Sequence, residues 1–288
     1  MKQLDRWMAW TVVTAGGTRD RLAMAVAPEL DPEVDRLAVL DDRMRGVLAE
    51  LGRPGDDDTD WVGAERSSPE LTAPLPLGVN RGDRRALYVL ARALRPTRVL
   101  EVGTLVGAST AHLALAMHRH ALPGETMRLV TLDVIDVNDP RGGPWRRLGL
   151  GKTPRELICD DLNMGATVEF VRERAADYLR QTSERFDLIF LDGDHRARAV
   201  YDEFALATRC LNAGGVIVLH DYFPDGRRLW PSRPAIAGPF LGMRPHLARH
   251  PELVVSPLGR LGWETKLGSN VTSLALALRS GDVSAQGD

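Results

Sequence analysis

The segment VLEVGTLVGAST, residues 99–110, decides the fold of this 288-residue chain. It begins with a short run of apolar and β-branched residues that is typical of a strand, and a helical stretch follows over 109–120. Between them lies the pattern E-x-G-x-x-x-G, formed by Glu101, Gly103 and Gly107. Because glycine has no Cβ, the backbone at this turn can pass close to a ligand and adopt positive φ. A strand, a glycine turn and a helix in this order predict the first βα unit of a parallel sheet.

Similar apolar runs recur along the chain. They are LVTLDV at 129–134, ELICDD at 156–161, FDLIFLD at 186–192 and GVIVLHD at 215–221. Helices are predicted between most of them, at Ser109–His120, Met164–Thr182 and Arg198–Leu211. Apolar strands that alternate with helices are typical of a parallel sheet covered on both faces. Two shorter runs, at 253–256 and 274–278, predict a hairpin-like antiparallel pair at one edge.

We therefore predict an α/β protein with a Rossmann-like, doubly wound sheet of seven mostly parallel strands and an antiparallel terminal pair. Residues 1–70 are predicted as a helical extension that ends in an exposed linker, and residues 71–288 as the sheet domain. A helix start at Asp31-Pro32-Glu33 precedes an apolar stripe, which comprises Leu37, Leu40, Met44, Val47 and Leu51. That stripe suits either packing on the protein's own core or a homodimer contact.

Composition limits the class of protein. The formal net charge is −2, and the 37 basic residues include only three lysines, so no lysine-rich surface suggests a nucleic-acid partner. Cys159 and Cys210 fit no metal or redox spacing and suit a reduced, cytoplasmic chain. The segment 7–17 imitates a signal-peptide core, but the mixed charge before it favours a buried helix. No apolar run approaches the roughly 20 residues of a membrane span.

Each strand predicted for the parallel set ends in an acidic residue. These residues are Glu101, Asp133, Asp160 with Asp161, Asp192 and Asp221. Ligands of open α/β sheets bind outside the carboxyl ends of the strands, so the acids are expected to line the site. The first acid would repel a pyrophosphate but suits the ammonium group of an amino-acid moiety. Asp133 can accept both hydroxyls of a ribose, and Asp160 or Asp161 can accept an adenine amino group.

Four segments together resemble the class I S-adenosylmethionine-dependent methyltransferases, over about residues 78–280: VLEVGTLVGAST, TLDVID, CDDLN, and FDLIFLDGDH with GGVIVLHDY. The resemblance implies S-adenosylmethionine as cofactor. It implies Glu101 and Gly103 at the methionine part, Asp133 at the ribose, and Asp160 or Asp161 at the adenine. The other residues expected around the cofactor are Thr104, Gly107, Ser109 and Asp192.

Within that class, LGVNRGDRRALYVLARALRPTRVLEVGT at 77–104 is similar to small-molecule O-methyltransferases of the catechol and macrolide-sugar types. This similarity implies a small hydroxylated acceptor, such as a natural product. Many of those enzymes hold Mg²⁺ between an Asp after strand four and an Asp followed by Asp or Asn after strand five. Asp192 and Asp221 match the first two ligands, but Tyr222 stands at the third. His220 or Asp194 is expected to replace it, and a histidine ligand would favour a softer divalent metal.

His195 lies three residues past Asp192, where the catechol-type enzymes carry a lysine base. Free imidazole titrates near pH 6.5, which suits a general base at neutral pH. A metal or water ligand and a structural role in the DGDH turn are the alternatives. Insertions at 138–154 and 222–251 are expected to shape the acceptor pocket.

Three other functions of the same fold stay open from sequence alone. They are a cephalosporin-hydroxylase-like methyl-transfer component, a tRNA-modifying methyltransferase and a non-catalytic binding partner. The near-neutral charge argues against tRNA, and the acids at the strand ends argue against a degenerate site.

Overall fold

The computed structural model describes residues 18–53, 59–66 and 78–281. Its strands are β1 Val39–Leu40, β2 Arg98–Val102, β3 Arg128–Asp133, β4 Val168–Arg172, β5 Phe186–Leu191, β6 Leu211–Leu219, β7 Leu253–Pro257 and β8 Ala275–Ser280. Its α-helices are α1 Thr18–Ala25, α2 Asp42–Leu51, α3 Thr59–Arg66, α4 Arg81–Leu94, α5 Ala108–His120, α6 Pro144–Arg147, α7 Ala175–Gln181, α8 Ala197–Arg209 and α9 Gly238–Arg249. Glu156–Asp161 forms a π-helical turn, and Val34–Arg36 and Pro224–Gly226 form 3₁₀ turns.

All eight strands belong to one sheet. The order is β1-β8-β6-β5-β2-β3-β4, and β7 also pairs with β8. Strands β2 to β6 run parallel, whereas β8 is antiparallel to both β6 and β7. The predicted doubly wound sheet with an antiparallel terminal pair is therefore confirmed, although the described residues form eight strands where seven were predicted, and β1 is the additional one. The strand order reverses between β2 and β5, and the crevice at that point is where such sheets bind ligands.

Successive strand residues face opposite sides of the sheet, and both sides are covered. Leu100, Ile189 and Ile217 pack beneath α7, α8 and α9, while Val99, Leu188 and Val216 pack beneath α4 and α5. This double coverage explains why the central strands read as continuous apolar runs. Among the described residues, no helix is both long and apolar enough to cross a bilayer.

The prediction of a third strand at 156–161 is wrong. These residues form the π-helical turn, and the third parallel strand is β4, which lies inside the stretch predicted as the helix Met164–Thr182. β4 pairs with β3 on one side only. Its side chains include the exposed Glu169 and Arg172, so this edge strand lacks the continuous apolar pattern of the central strands. Asp160 and Asp161 consequently do not end a strand.

The apolar stripe of the N-terminal segment is divided between two elements. The Asp41 side chain accepts a hydrogen bond from the Met44 amide at 2.8 Å, so α2 begins at Asp42 and not at 31–33. Leu37 instead forms a bridge with Gly215 of β6, and Leu40 belongs to β1. The stripe therefore packs on the protein's own core, and a homodimer contact stays a prediction.

Part of the segment predicted as an exposed linker is helical and packed. In α3, Trp61 is buried and stacks on His112 of α5, with 5.1 Å between the ring centroids. It also meets the edge of Tyr88 in α4. The predicted domain boundary at residues 70 and 71 and the segment 7–17 lie outside the described residues.

Candidate active site

The glycine turn after β2 is pressed against the loop after β5. Gly103 has φ +100°, and a Cβ at this position would lie 2.3 Å from the carbonyl oxygen of Asp192. Gly107 has φ +75°, and its Cβ would lie 2.9 Å from the Pro154 side chain. Real side chains do not fit at such distances, so the two glycines allow the close approach. The E-x-G-x-x-x-G pattern therefore joins the ends of β2 and β5 at the switch point of the sheet.

Asp133, at the end of β3, lies beside that turn. Its Oδ2 accepts a hydrogen bond from the Leu105 amide at 3.0 Å, and its Oδ1 accepts one from the Ile135 amide at 3.1 Å. Burial raises the pKa of this carboxyl, although the backbone amides oppose the shift. These two bonds leave lone pairs on both oxygens, so the geometry is compatible with the predicted contact to a ribose.

Glu101 is fully buried behind the turn. Its Oε2 accepts hydrogen bonds from the hydroxyls of Thr110 and Thr131, the latter at 2.7 Å, while its Oε1 has no hydrogen-bond partner. Burial raises the pKa of Glu101 to about 7 against the effect of these hydroxyls and of Ser109, and the charge of Asp192 raises it further. Thr104 is buried as well and bonds to Thr131 at 2.6 Å. Thr104 and Ser109 thus pack behind the turn.

The two acids predicted at the adenine are placed differently from the others. Asp161 forms an ion pair with Lys152 at 2.5 Å, and Asp160 is exposed on the same π-helical turn. Because neither follows a strand, the reason for expecting them at the adenine is lost. Glu173 and Arg174 follow the third strand instead, and the Glu173 amide donates to the Asp133 carbonyl at 3.0 Å. The half-polar run VEFVR, which forms β4 and immediately precedes them, was the feature of the sequence that could have indicated them.

Asp192, His195 and Asp221 come together at the ends of β5 and β6. One ligand atom from each lies within 4.8 Å of the others, and the His195 Nε2 is 3.5 Å from the Asp221 Oδ2. Asp221 has φ +49°, which is a strained conformation for a residue with a side chain. Ser273 holds it there, because its Oγ donates to Asp221 at 3.1 Å and its carbonyl accepts from the Tyr222 amide at 2.9 Å.

His220 is buried between two carboxylates. Its Nδ1 lies 2.7 Å from the Asp192 Oδ1, and its Nε2 lies 3.4 Å from the Asp83 Oδ2. Burial lowers the pKa of His220, but Asp192, Asp221 and Asp83 more than offset this and raise it well above 6.5. Both ring nitrogens of His220 thus face carboxylate oxygens, and the nearer contact holds Asp192. The expected role of His220 as a third metal ligand stays a prediction.

The residues around the position of the third ligand differ in what they contact. Asp194 is held by the Arg196 guanidinium, with one bond at 2.8 Å. Tyr222 packs against Phe240, and burial raises the pKa of its phenol to about 12, so it stays neutral. Burial also raises the pKa of Asp221, but His220, His195 and Lys266 lower it overall, so its carboxylate is charged. Two carboxylates and the His195 imidazole form a donor set that fits a divalent cation.

The segments 222–237 and 258–273 supply residues near this cluster. Trp230 is buried and meets the edge of Phe223, with 5.9 Å between the ring centroids. The Lys266 ammonium lies 4.0 Å from the centre of the Trp230 ring. Sequence reasoning missed Asp83, Ser273 and Lys266, because no motif connects them to the strand ends.

Known proteins resemble this chain in sequence. A family model described as a methyltransferase domain matches residues 100–222, from β2 to just past Asp221. The catechol O-methyltransferase of Mycobacterium tuberculosis is 31% identical over 197 residues, which are 67% of this chain and 80% of that enzyme. The chain belongs to the class I S-adenosylmethionine-dependent O-methyltransferases.

Solved structures of other proteins share the fold. A cofactor-bound protein from MTB is 25% identical, with a TM-score of 0.51 over 77% of this chain and 90% of that one. An O-methyltransferase from Bacillus cereus in complex with S-adenosylhomocysteine is 20% identical, with the same TM-score over 77% of this chain and 91% of that one. The predicted enzyme class and fold are thus confirmed for this O-methyltransferase, S-adenosylmethionine is supported as its cofactor, and the divalent metal stays a prediction.

Proposed function

We propose that this O-methyltransferase methylates a hydroxyl of a small natural product, with a divalent metal held by Asp192 and Asp221 and with His195 as the general base. The cluster of Asp192, His195 and Asp221 carries the proposal. Because a Gly103 Cβ would lie only 2.3 Å from the Asp192 carbonyl oxygen, this cluster adjoins the cofactor turn directly. Donor and acceptor can therefore meet at the crevice between β2 and β5.

Methyl transfer from a sulfonium is an in-line displacement, so the enzyme must align the acceptor and make its oxygen nucleophilic. A divalent cation at Asp192 and Asp221 would lower the pKa of a bound hydroxyl. His195 takes the hydroxyl proton at Nε2 while the acceptor oxygen forms its bond to the methyl carbon and the carbon–sulfur bond breaks. The nearby Asp221 carboxylate, 3.5 Å from that nitrogen, orients the ring and stabilises its positive charge. His195 as a third metal ligand is the alternative.

The acceptor class follows from the walls of the site and from the relatives. Lys266 lies over Trp230, which packs on Phe223, and its charge acts on Asp221, so the segments that carry these residues can cover a small ring-containing molecule. The relatives named catechol O-methyltransferase make catechol the first acceptor to test. We also propose a cytoplasmic location, since the cysteines Cys159 and Cys210 are both free.

The test begins with calorimetric titration of S-adenosylhomocysteine into EDTA-treated protein, repeated with Mg²⁺ and with Mn²⁺. Turnover of catechol and of other hydroxylated acceptors is then measured with and without each metal. We expect micromolar cofactor binding under all conditions and turnover only with metal. Undiminished turnover in EDTA would refute the metal role. The variant His195→Gln, assayed under the condition that supports wild-type turnover, would then report on the base.

A further inference from the structure

The loop that carries His195 is pressed against the first turn of α9. A Cβ on Gly238 would lie 1.7 Å from the His195 carbonyl oxygen and 3.1 Å from the Ala197 amide nitrogen. A side chain does not fit at such a distance, so any residue other than glycine would force one of the two backbones to move. Gly238 therefore brings the backbone of α9 into direct contact with the backbone of His195.

The same turn of α9 also contacts the residue that follows Asp221. The Phe240 ring meets the edge of the buried Tyr222, with 6.1 Å between the ring centroids. Gly238 and Phe240 are two positions apart in α9. One helical turn thus packs on the His195 loop and on the chain next to Asp221, and it fixes the two relative to each other.

The His195 ring itself is held by few contacts. Among the described residues, its side chain forms one ion-pair contact, the 3.5 Å approach of Nε2 to the Asp221 Oδ2. This distance is long for a hydrogen bond. The ring also borders the small cavity that Pro239 of α9 helps to line. Because a single long contact and a cavity do not fix a side chain, the position of the His195 ring depends on its backbone.

We propose that Gly238 is a positioning residue for methyl transfer. It seats α9 against the His195 backbone and so holds the His195 Nε2 at its working distance from Asp221 and from the acceptor hydroxyl. The inference rests on the proposed function, because it takes His195 as the general base. A misplacement of about 1 Å can cost roughly 100-fold in rate. Gly238 has no side chain that could react, so its effect on the rate passes through His195.

The first test is Gly238→Ala, assayed with catechol under the metal condition that supports wild-type turnover. The added methyl group pushes the His195 loop and α9 apart, so kcat should fall about 100-fold. The KM for catechol and the affinity for S-adenosylhomocysteine should change by less than about threefold, because the metal ligands and the cofactor turn stay in place. An unchanged kcat would overturn the inference.

Gly242→Ala is the matched control on the same helix. Its Cβ would lie 2.5 Å from the Ala197 carbonyl oxygen and 3.1 Å from the Tyr201 amide nitrogen, so it overpacks the contact between α8 and α9 without meeting His195. Its kcat should stay within about threefold of the wild type. An equal loss of kcat in Gly238→Ala and Gly242→Ala would make the effect one of overpacking and would overturn the inference.

A double-mutant cycle with His195→Gln separates positioning from a structural role. In that background Gly238→Ala should cost less than about twofold in kcat, because the group that Gly238 positions is already gone. Losses that multiply would overturn the inference and leave His195 as the base. Wild-type turnover in His195→Gln would instead refute the base, and the proposed function would then fail together with the inference.

Crystal structures of the wild type and of Gly238→Ala give a readout that needs no turnover. The distance between the His195 Nε2 and the Asp221 Oδ2 should differ by about 1 Å between the two, and an unchanged distance would overturn the inference. If the methyl group prevents folding, Phe240→Leu loosens the same turn on its Tyr222 side. That variant should lower kcat about tenfold with KM retained, and a wild-type kcat would count against the inference.

Discussion

The two sides of the crevice are built in different ways. On the cofactor side, Glu101 and Asp133 are held by residues that belong to the β2 and β3 units, such as Thr110 and Leu105. On the acceptor side, Asp221 depends on Ser273, which is 52 positions away, and His220 reaches Asp83, which is 137 positions away. A local motif can specify the first side, whereas only the packing of distant segments creates the second.

The largest effect is expected from removing a charge on the acceptor side. Asp221→Asn should lower turnover about 1000-fold, because it takes away one proposed metal ligand and the carboxylate that orients His195. The affinity for S-adenosylhomocysteine should change less than threefold. Turnover of catechol and calorimetry on the same preparation measure both quantities. A comparable loss of cofactor affinity would show that the two sides are one unit and break the comparison.

Asp133→Ala should weaken cofactor binding and leave the acceptor side intact. Loss of two charge-assisted hydrogen bonds to a ribose would weaken S-adenosylhomocysteine binding about 100-fold or more. Metal binding at Asp192 and Asp221 should persist, which Mn²⁺ titration of the variant can measure. Wild-type-like cofactor affinity would remove Asp133 from the ribose site.

The features that could be predicted from the sequence also divide between the cofactor side and the acceptor side. The central strands, the glycine turn and the acids at 101, 133, 192 and 221 were predictable, because each lies within one βα unit and repeats a known pattern. Strand β4 was missed since an edge strand needs to bury only one face, so VEFVR resembles a polar helix as much as a strand. Asp83 and Ser273 were missed because their role comes from contacts that join separate segments. The stripe at 37–51 misled because its spacing suits a helix although Leu37 lies against the sheet.

The pH dependence of cofactor binding should sharpen the cofactor side. Burial raises the pKa of Glu101 to about 7 in the unliganded protein, so near neutral pH the carboxyl is partly protonated. An ammonium binds the carboxylate form, so binding releases a proton and the affinity should fall about tenfold from pH 8 to pH 6. Glu101→Gln should bind more weakly at pH 8 and show a flat profile. Calorimetry in two buffers of different ionisation enthalpy counts the released proton, and a sloping profile in Glu101→Gln would assign the effect elsewhere.

The smallest functional effect is expected from substituting Glu203. It lies on α8, outside both sides of the crevice, in a small cavity behind His195. Burial raises its pKa from 4.5 to about 8, and the charges of Asp194 and Asp202 add to this. The folded protein therefore holds a proton that the unfolded chain has lost. Between about pH 5 and 8 the stability should fall by up to about 1.4 kcal/mol per pH unit because of this group.

Glu203→Gln should remove that slope, since the amide carries no ionisable proton. The free energy of unfolding of the variant, measured by urea denaturation, should exceed that of the wild type increasingly from pH 5 to pH 8. Turnover should stay within twofold, because Glu203 contacts neither the proposed metal ligands nor the cofactor turn. A loss of turnover without a change in the pH slope would instead connect Glu203 to the proton taken up by His195, and the acceptor side would then extend behind the DGDH turn into α8.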